Sequence, residues 1–141
     1  MAGRTDVSNI GVGGEYRTYK IDASTITYDA SKAGGSAQVG LAVTFSADDT
    51  VALCADGDAV LGKLILVEGD NKANVMTDGT MTLPGGDSAT LTVGATIVGA
   101  LGADSAKGYI RSAASGTAAE LVKARGRIEN NDTTTAVVVT L

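Results

Sequence analysis

Asp58–Gly99, DAVLGKLILVEGDNKANVMTDGTMTLPGGDSATLTVGATIVG, is the stretch whose reading decides the fold. Its apolar runs are short: Val60–Val67, Asn74–Thr77, Thr80–Leu83, Thr90–Val93 and Thr96–Val98. Between them lie EGDNK, TDG, PGGD and VG. Gly permits positive φ there, Asp and Asn bond their own backbone, and Pro84 presets one φ, so these segments are turns. Strand-length runs separated by such breaks read as an antiparallel meander. The hairpin Lys63–Thr77 is the clearest unit: Leu64, Leu66 and Val67 lead into Gly69-Asp70-Asn71, and the chain returns through Ala73, Val75 and Met76. Val60, Leu61, Leu64 and Ile65 also fit a helical stripe. The interior Gly62 and the β-branched Ile65 and Val67 favour strand.

Upstream, Val39, Leu41, Val43 and Phe45 alternate with Gln38, Gly40, Ala42 and Thr44, the pattern of a half-buried strand. SADDT turns it, and Val51–Ala55 forms the next short strand. Downstream, GALGADSAKG reads as a loop, Tyr109–Arg111 as a short strand and Ala136–Leu141 as the last one. One helix is expected, Thr117–Arg125. Thr117 and Glu120 have capping-box spacing, Lys123 and Arg125 sit at the negative end of the dipole, and Gly126 suits a left-handed C-cap. A helix this short must lie on the sheet. The expected fold is therefore mainly β, a small antiparallel β-sandwich or barrel-like meander with one short helix near the C-terminus.

Residues 1–35 differ from the β domain of residues 36–141. They hold three of the four tyrosines, GVGG at Gly11–Gly14 and a second Gly pair at Gly34-Gly35. Their charges cancel, Arg4, Arg17, Lys20 and Lys32 against Asp6, Glu15, Asp22 and Asp29, so the net charge of −5 belongs to the β domain. The segment reads as an extended N-terminal arm that orders against a neighbour, or else as the first hairpin of the barrel. On the arm reading, Tyr16, Arg17, Tyr19 and Tyr28 are the candidate contacts to that neighbour. Tyr offers a large contact area at low entropic cost. The same reading expects a chain starting near Gly35 to fold.

The 141 residues make one domain by length, but with one Phe, no Trp and much Ala the core is thin, which favours oligomer contacts. An acidic chain with a pI of about 4.5 suits nucleic acid poorly. Tyr16, Arg17, Tyr19 and Lys20 do interleave aromatics with cations, but Glu15 and Asp22 flank them. Cys54, alone, reads as a small buried hydrophobe. MAGRTDVSNIG lacks the apolar core of a signal peptide, and LILV and AVVV are too short to span a bilayer, so a cytoplasmic origin and no membrane are expected.

The chain contains no His, which removes Ser–His and Cys–His pairs, imidazole bases and His-ligated zinc. GVGGEYRTYK lacks the phosphate-loop spacing. Asp48, Asp49, Asp56 and Asp58 read as solvated turn residues; ADGDAVLGKLI has no Glu to close a calcium loop. No catalytic residue, no metal site, no cofactor and no enzymatic activity are expected.

The run VGLAVTF…DGDAVLGKLILVEGDNKANVMTDGTMTLPGG…LTVGATIVGAL…KARGRIENNDTTTAVVVTL resembles the Gly/Ala-rich capsid decoration, or cement, proteins of tailed bacteriophages. Gly62–Val67, Met81–Leu83, Ala118–Ala124, Gly126–Glu129, Asp132–Thr135 and Val137–Leu141 carry the match, which starts at Val39 and leaves the GVGG segment outside it. The resemblance implies a structural virion protein on the capsid exterior, a homotrimer whose partner is the major capsid protein. Three alternatives stand beside it: a fibre or adhesin module binding glycans, a polysaccharide-cleaving enzyme, and a single-stranded nucleic-acid-binding β-barrel.

Overall fold

The structure is a computed structural model and describes residues 8–114 and 117–141. The strands are β1 (Glu15–Ile21), β2 (Ala42–Ala47), β3 (Thr50–Leu53), β4 (Gly62–Val67), β5 (Lys72–Asp78), β6 (Thr80–Leu83), β7 (Ile97–Ala100), β8 (Tyr109–Ser112), β9 (Arg127–Asn130) and β10 (Val137–Thr140). The helix α1 spans Ala118–Lys123. β1 to β5 close into a barrel in the order β1-β3-β2-β4-β5, with β5 returning to β1. β6, β10 and β9 form a second sheet, and β7 with β8 a third. The chain is thus mainly β with a closed five-stranded barrel.

The period of two, reset in β4 by a bulge between Leu64 and Leu66, explains how one barrel serves two cores. Val43 on β2, Val51 and Leu53 on β3, Leu64 and Val67 on β4, and Ala73 and Val75 on β5 fill the barrel with Ile21 and Ile26. The residues pointing the other way, Ala42, Cys54, Ile65 and Met76, pack against Met81, Leu83, Ile97, Ile110, Ile128, Val137 and Val139 of the smaller sheets. A barrel with an apolar outer face needs such a second layer. Cys54 is fully buried, as its surroundings in VALCA suggest, and burial pushes its thiol well above the ordinary range.

The decisive hairpin is present. Leu64 pairs with Val75 and Val67 with Ala73, and Asn71 takes a left-handed φ of 61° in the connecting turn. Gly62, which argues against a helix there, has a further reason to be Gly: a Cβ would lie 2.0 Å from the carbonyl oxygen of Met76. The meander is not continuous, however. β6 leaves β5 after Gly79 and pairs with β10, and β1 pairs with β3 in parallel.

The extended arm is corrected over residues 8–35; its first seven residues lie outside the described residues. Glu15–Ile21 is a stave of the barrel, bonded to β5 along its length and to β3 at Lys20 and Ile21, and Ile26 is fully buried beneath it. Nor does it form a first hairpin, because its neighbours are β3 and β5 rather than β2. The cause is closure: without β1 the sheet β3-β2-β4-β5 would expose two edges. Gly11 and Val12 exchange backbone bonds with Thr80, which ties the preceding segment to β6.

Five local expectations also change. Thr90–Val93 is a loop; Thr90 and Gly94 use their backbone groups to cover Ser112 and Ile128, and Val93 stays exposed. Strand β2 starts only at Ala42, after turns through Val39 and Gly40, and its Phe45 is 52% exposed at the barrel end, where the register shifts before Ala47. The capping box is not formed: the Thr117 side chain makes no cap bond, because the Glu120 carboxylate is engaged by Arg111 and the Ala114 N–H. Ala124 closes α1 in extended conformation. Gly126, at φ 69°, lies beyond the helix where a side chain would strike the Thr140 carbonyl. The helix buries none of its residues in the sheet; Val122 is 86% exposed.

Candidate functional site

The mouth of the barrel, where β1 and β4 begin and β2 and β5 end, gathers the side chains with most to offer a partner. Along β1, Ile21 points into the barrel, so Tyr19 and Arg17 continue the same face outward to the rim. Tyr19 meets Phe45 edge-to-face, with ring centroids 5.2 Å apart. Arg125, which lies just beyond α1, reaches across to donate to the carbonyls of Leu61 (3.0 Å) and Thr77 (3.1 Å) and to Asp78 (3.2 Å). These residues line an open depression of about 330 Å³, continuous through Phe45, Leu61 and Arg125 with a second groove of similar size. Arg17 is held at 2.7 Å by Glu15, and both side chains stay largely exposed.

Of the four residues singled out from the sequence, only Arg17 and Tyr19 meet here. Tyr16 lies on the opposite face of β1, 53% exposed. Tyr28 lies at the other end of the barrel, its ring near Gly69 in the β4–β5 turn and near Gly35. Phe45, Leu61 and Arg125 complete the depression and were not foreseen. Phe45 gave a misleading signal, since its alternation with Val43 pointed to the interior. Arg125 gave none, because its partners, two carbonyls and the Asp78 carboxylate, are far away in the chain.

A second cluster sits behind a cleft of about 590 Å³ lined by Asp56, Asp87, Ser88, Thr90, Arg111 and Ser112 among others. Arg111 on β8 donates to Asp56 at 2.9 Å, to the Ser112 carbonyl at 3.1 Å, and through both terminal nitrogens to Glu120. The guanidinium is thereby consumed as a staple between the β3–β4 loop, β8 and α1 rather than presented to a ligand. Arg111 and the Ala114 N–H hold the Glu120 carboxyl at about 2. Because this lies below the ordinary 4.5, the stabilisation is complete above about pH 4.5 and is lost as pH falls through about 2. Glu120→Gln is expected to be less stable than the parent at about pH 6 and to converge on it near pH 2, in denaturant midpoints measured at both.

Asp22, Asp29 and Asp58 serve the backbone of their own turns. Asp58 accepts from the Ala55 N–H at 2.9 Å. Among the described residues no group of three or more His, Cys, Asp or Glu side chains is placed to hold a metal ion. No helix among them is long and apolar enough to cross a membrane. The geometry defines a β-barrel protein whose most distinctive surface is an aromatic rim with two ion-paired arginines. The chain matches no protein-family model, no curated protein and no solved structure.

Proposed function

We propose that the protein is a structural component of a tailed-phage virion, a decoration protein that binds the outer surface of the assembled capsid, acting as a homotrimer against the major capsid protein. The observation that carries this reading is a rim suited to docking: Phe45, the one phenylalanine of the chain, is 52% exposed and braced by Tyr19, while the barrel beneath is filled with side chains. A large rigid ring that is exposed and braced costs little entropy when a partner covers it. The resemblance over Val39–Leu141 supplies the partner.

The mechanism needs no reaction. A ligand that binds only the assembled lattice stabilises it by mass action, and many copies multiply a modest contact. A net charge of −5 suits an exterior surface that does not touch packaged DNA. The test is co-sedimentation of the chain with capsids of the phage that encodes it, comparing the parent with Phe45→Ser. The parent is expected to pellet with the particles and Phe45→Ser to bind about tenfold or more weakly at an unchanged melting profile, a loss of the size expected for an anchoring aromatic. Equal binding by the two chains would move the contact away from the rim.

A further inference from the structure

The barrel is closed, yet one stave is only half paired on one side. Lys20 and Asp22 donate to Asp49 and Val51 on the β3 side, and Ile21 donates to Asn71 on the β5 side. With a period of two, Tyr16 and Thr18 must turn their N–H and C=O groups to the β3 side as well. There β3 does not reach them: its pairing with β1 begins at Lys20 with Thr50. Neither residue has a backbone partner on that side among the described residues. Glu15–Tyr19 therefore presents a strand edge flanked by exposed side chains.

We infer that this edge pairs with the same edge of a second copy of the chain, antiparallel about a two-fold axis at Tyr16. The register is reached by elimination. The outward groups belong to the even-numbered residues, so only registers that set even residues opposite one another can form bonds. Centring on Arg17 would place the two Arg17 side chains face to face. Centring on Thr18 would need the outward groups of Lys20, whose N–H is already given to Asp49. Centring on Tyr16 clears β3 and lets the two Tyr16 residues exchange both backbone bonds. Gly14, which then faces Thr18 of the other copy, gives its N–H to Gly11 at 3.3 Å and keeps its carbonyl to accept from that Thr18. The same register sets Glu15 of each copy opposite Arg17 of the other. Those two side chains already attract within one chain at 2.7 Å, so the two-fold joins two such pairs into a four-charge cluster. The contact is isologous and joins copies two at a time, apart from any three-fold arrangement on a capsid.

The test is sedimentation equilibrium of the full chain over a wide concentration range, with Arg17→Glu, Glu15→Arg and the double exchange. The parent is expected to show a step that doubles its mass. Each single reversal sets like charges opposite each other twice across the axis and should weaken that step about tenfold or more, while the double exchange should restore it. Circular dichroism melts verify that all four fold. A parent that shows no doubling step, or a step that both single reversals leave unchanged, or a double exchange no better than the singles, overturns the pairing.

Discussion

A chain that begins at Ser36 is expected to lose its cooperative unfolding transition. The deletion removes β1, the stave between β3 and β5, and opens the barrel along both of their edges. It also takes away Ile21 and Ile26, two buried members of the barrel core, each worth about 1.5–3 kcal/mol of apolar burial. Added to the lost ladder bonds along β1, this is comparable with the whole stability of about 5–15 kcal/mol of a small domain. Thermal melts followed by circular dichroism check it: a broad, non-cooperative trace or insoluble protein is expected. A sharp melt would mean that β1 is an accessory to a sheet complete without it.

The second large effect is expected from a single methyl group. Gly62→Ala places a Cβ 2.0 Å from the Met76 carbonyl oxygen and 3.1 Å from the Thr77 Cα, both backbone atoms that no rotamer change can clear. The β4–β5 ladder must part at Lys63 and Met76, next to the sealed barrel interior. A loss at or above the top of the about 1–3 kcal/mol range for overpacking is expected, read as a fall in denaturant midpoint. An Ala exchange at Gly94 makes a useful contrast: it meets no atom within 4 Å, so its cost is confined to the strain of a left-handed φ of 86°.

The hairpin of β4 and β5 was legible because its information is local: a short apolar run, a Gly-Asp-Asn turn and a second run, all within a few residues. The strands β6, β7, β8 and β10, but not β9 with Ile128 as its one buried residue among Arg127, Glu129 and Asn130, were legible as strands for the same reason. Their partners were not. Nothing in Thr80–Leu83 says that it leaves β5 for β10, because pairing depends on which apolar face finds a layer to cover it. β1 was misread because its outward residues are Tyr16, Thr18 and Lys20 and its inward ones include Arg17, so burial at a single residue, Ile21, carries its membership of the core. The helix was found in place, but its cap was assigned from spacing, while Glu120 was drawn away by Arg111, a residue nine positions upstream whose approach no local pattern encodes. For the site, Arg17 and Tyr19 were singled out as contacts and lie together at the rim. Phe45 and Arg125 joined them through tertiary structure alone.

The proposed docking role is tested most directly by the heat resistance of the particle. Capsids of the encoding phage, assembled without the chain, should gain in the temperature at which they release DNA when the purified chain is added. The gain should saturate at a fixed ratio of chain to capsid subunit and fall away with Phe45→Ser, and the chain should ignore unassembled capsid subunits. Capsids that release DNA at the same temperature with and without a saturating excess of the folded chain would contradict the account.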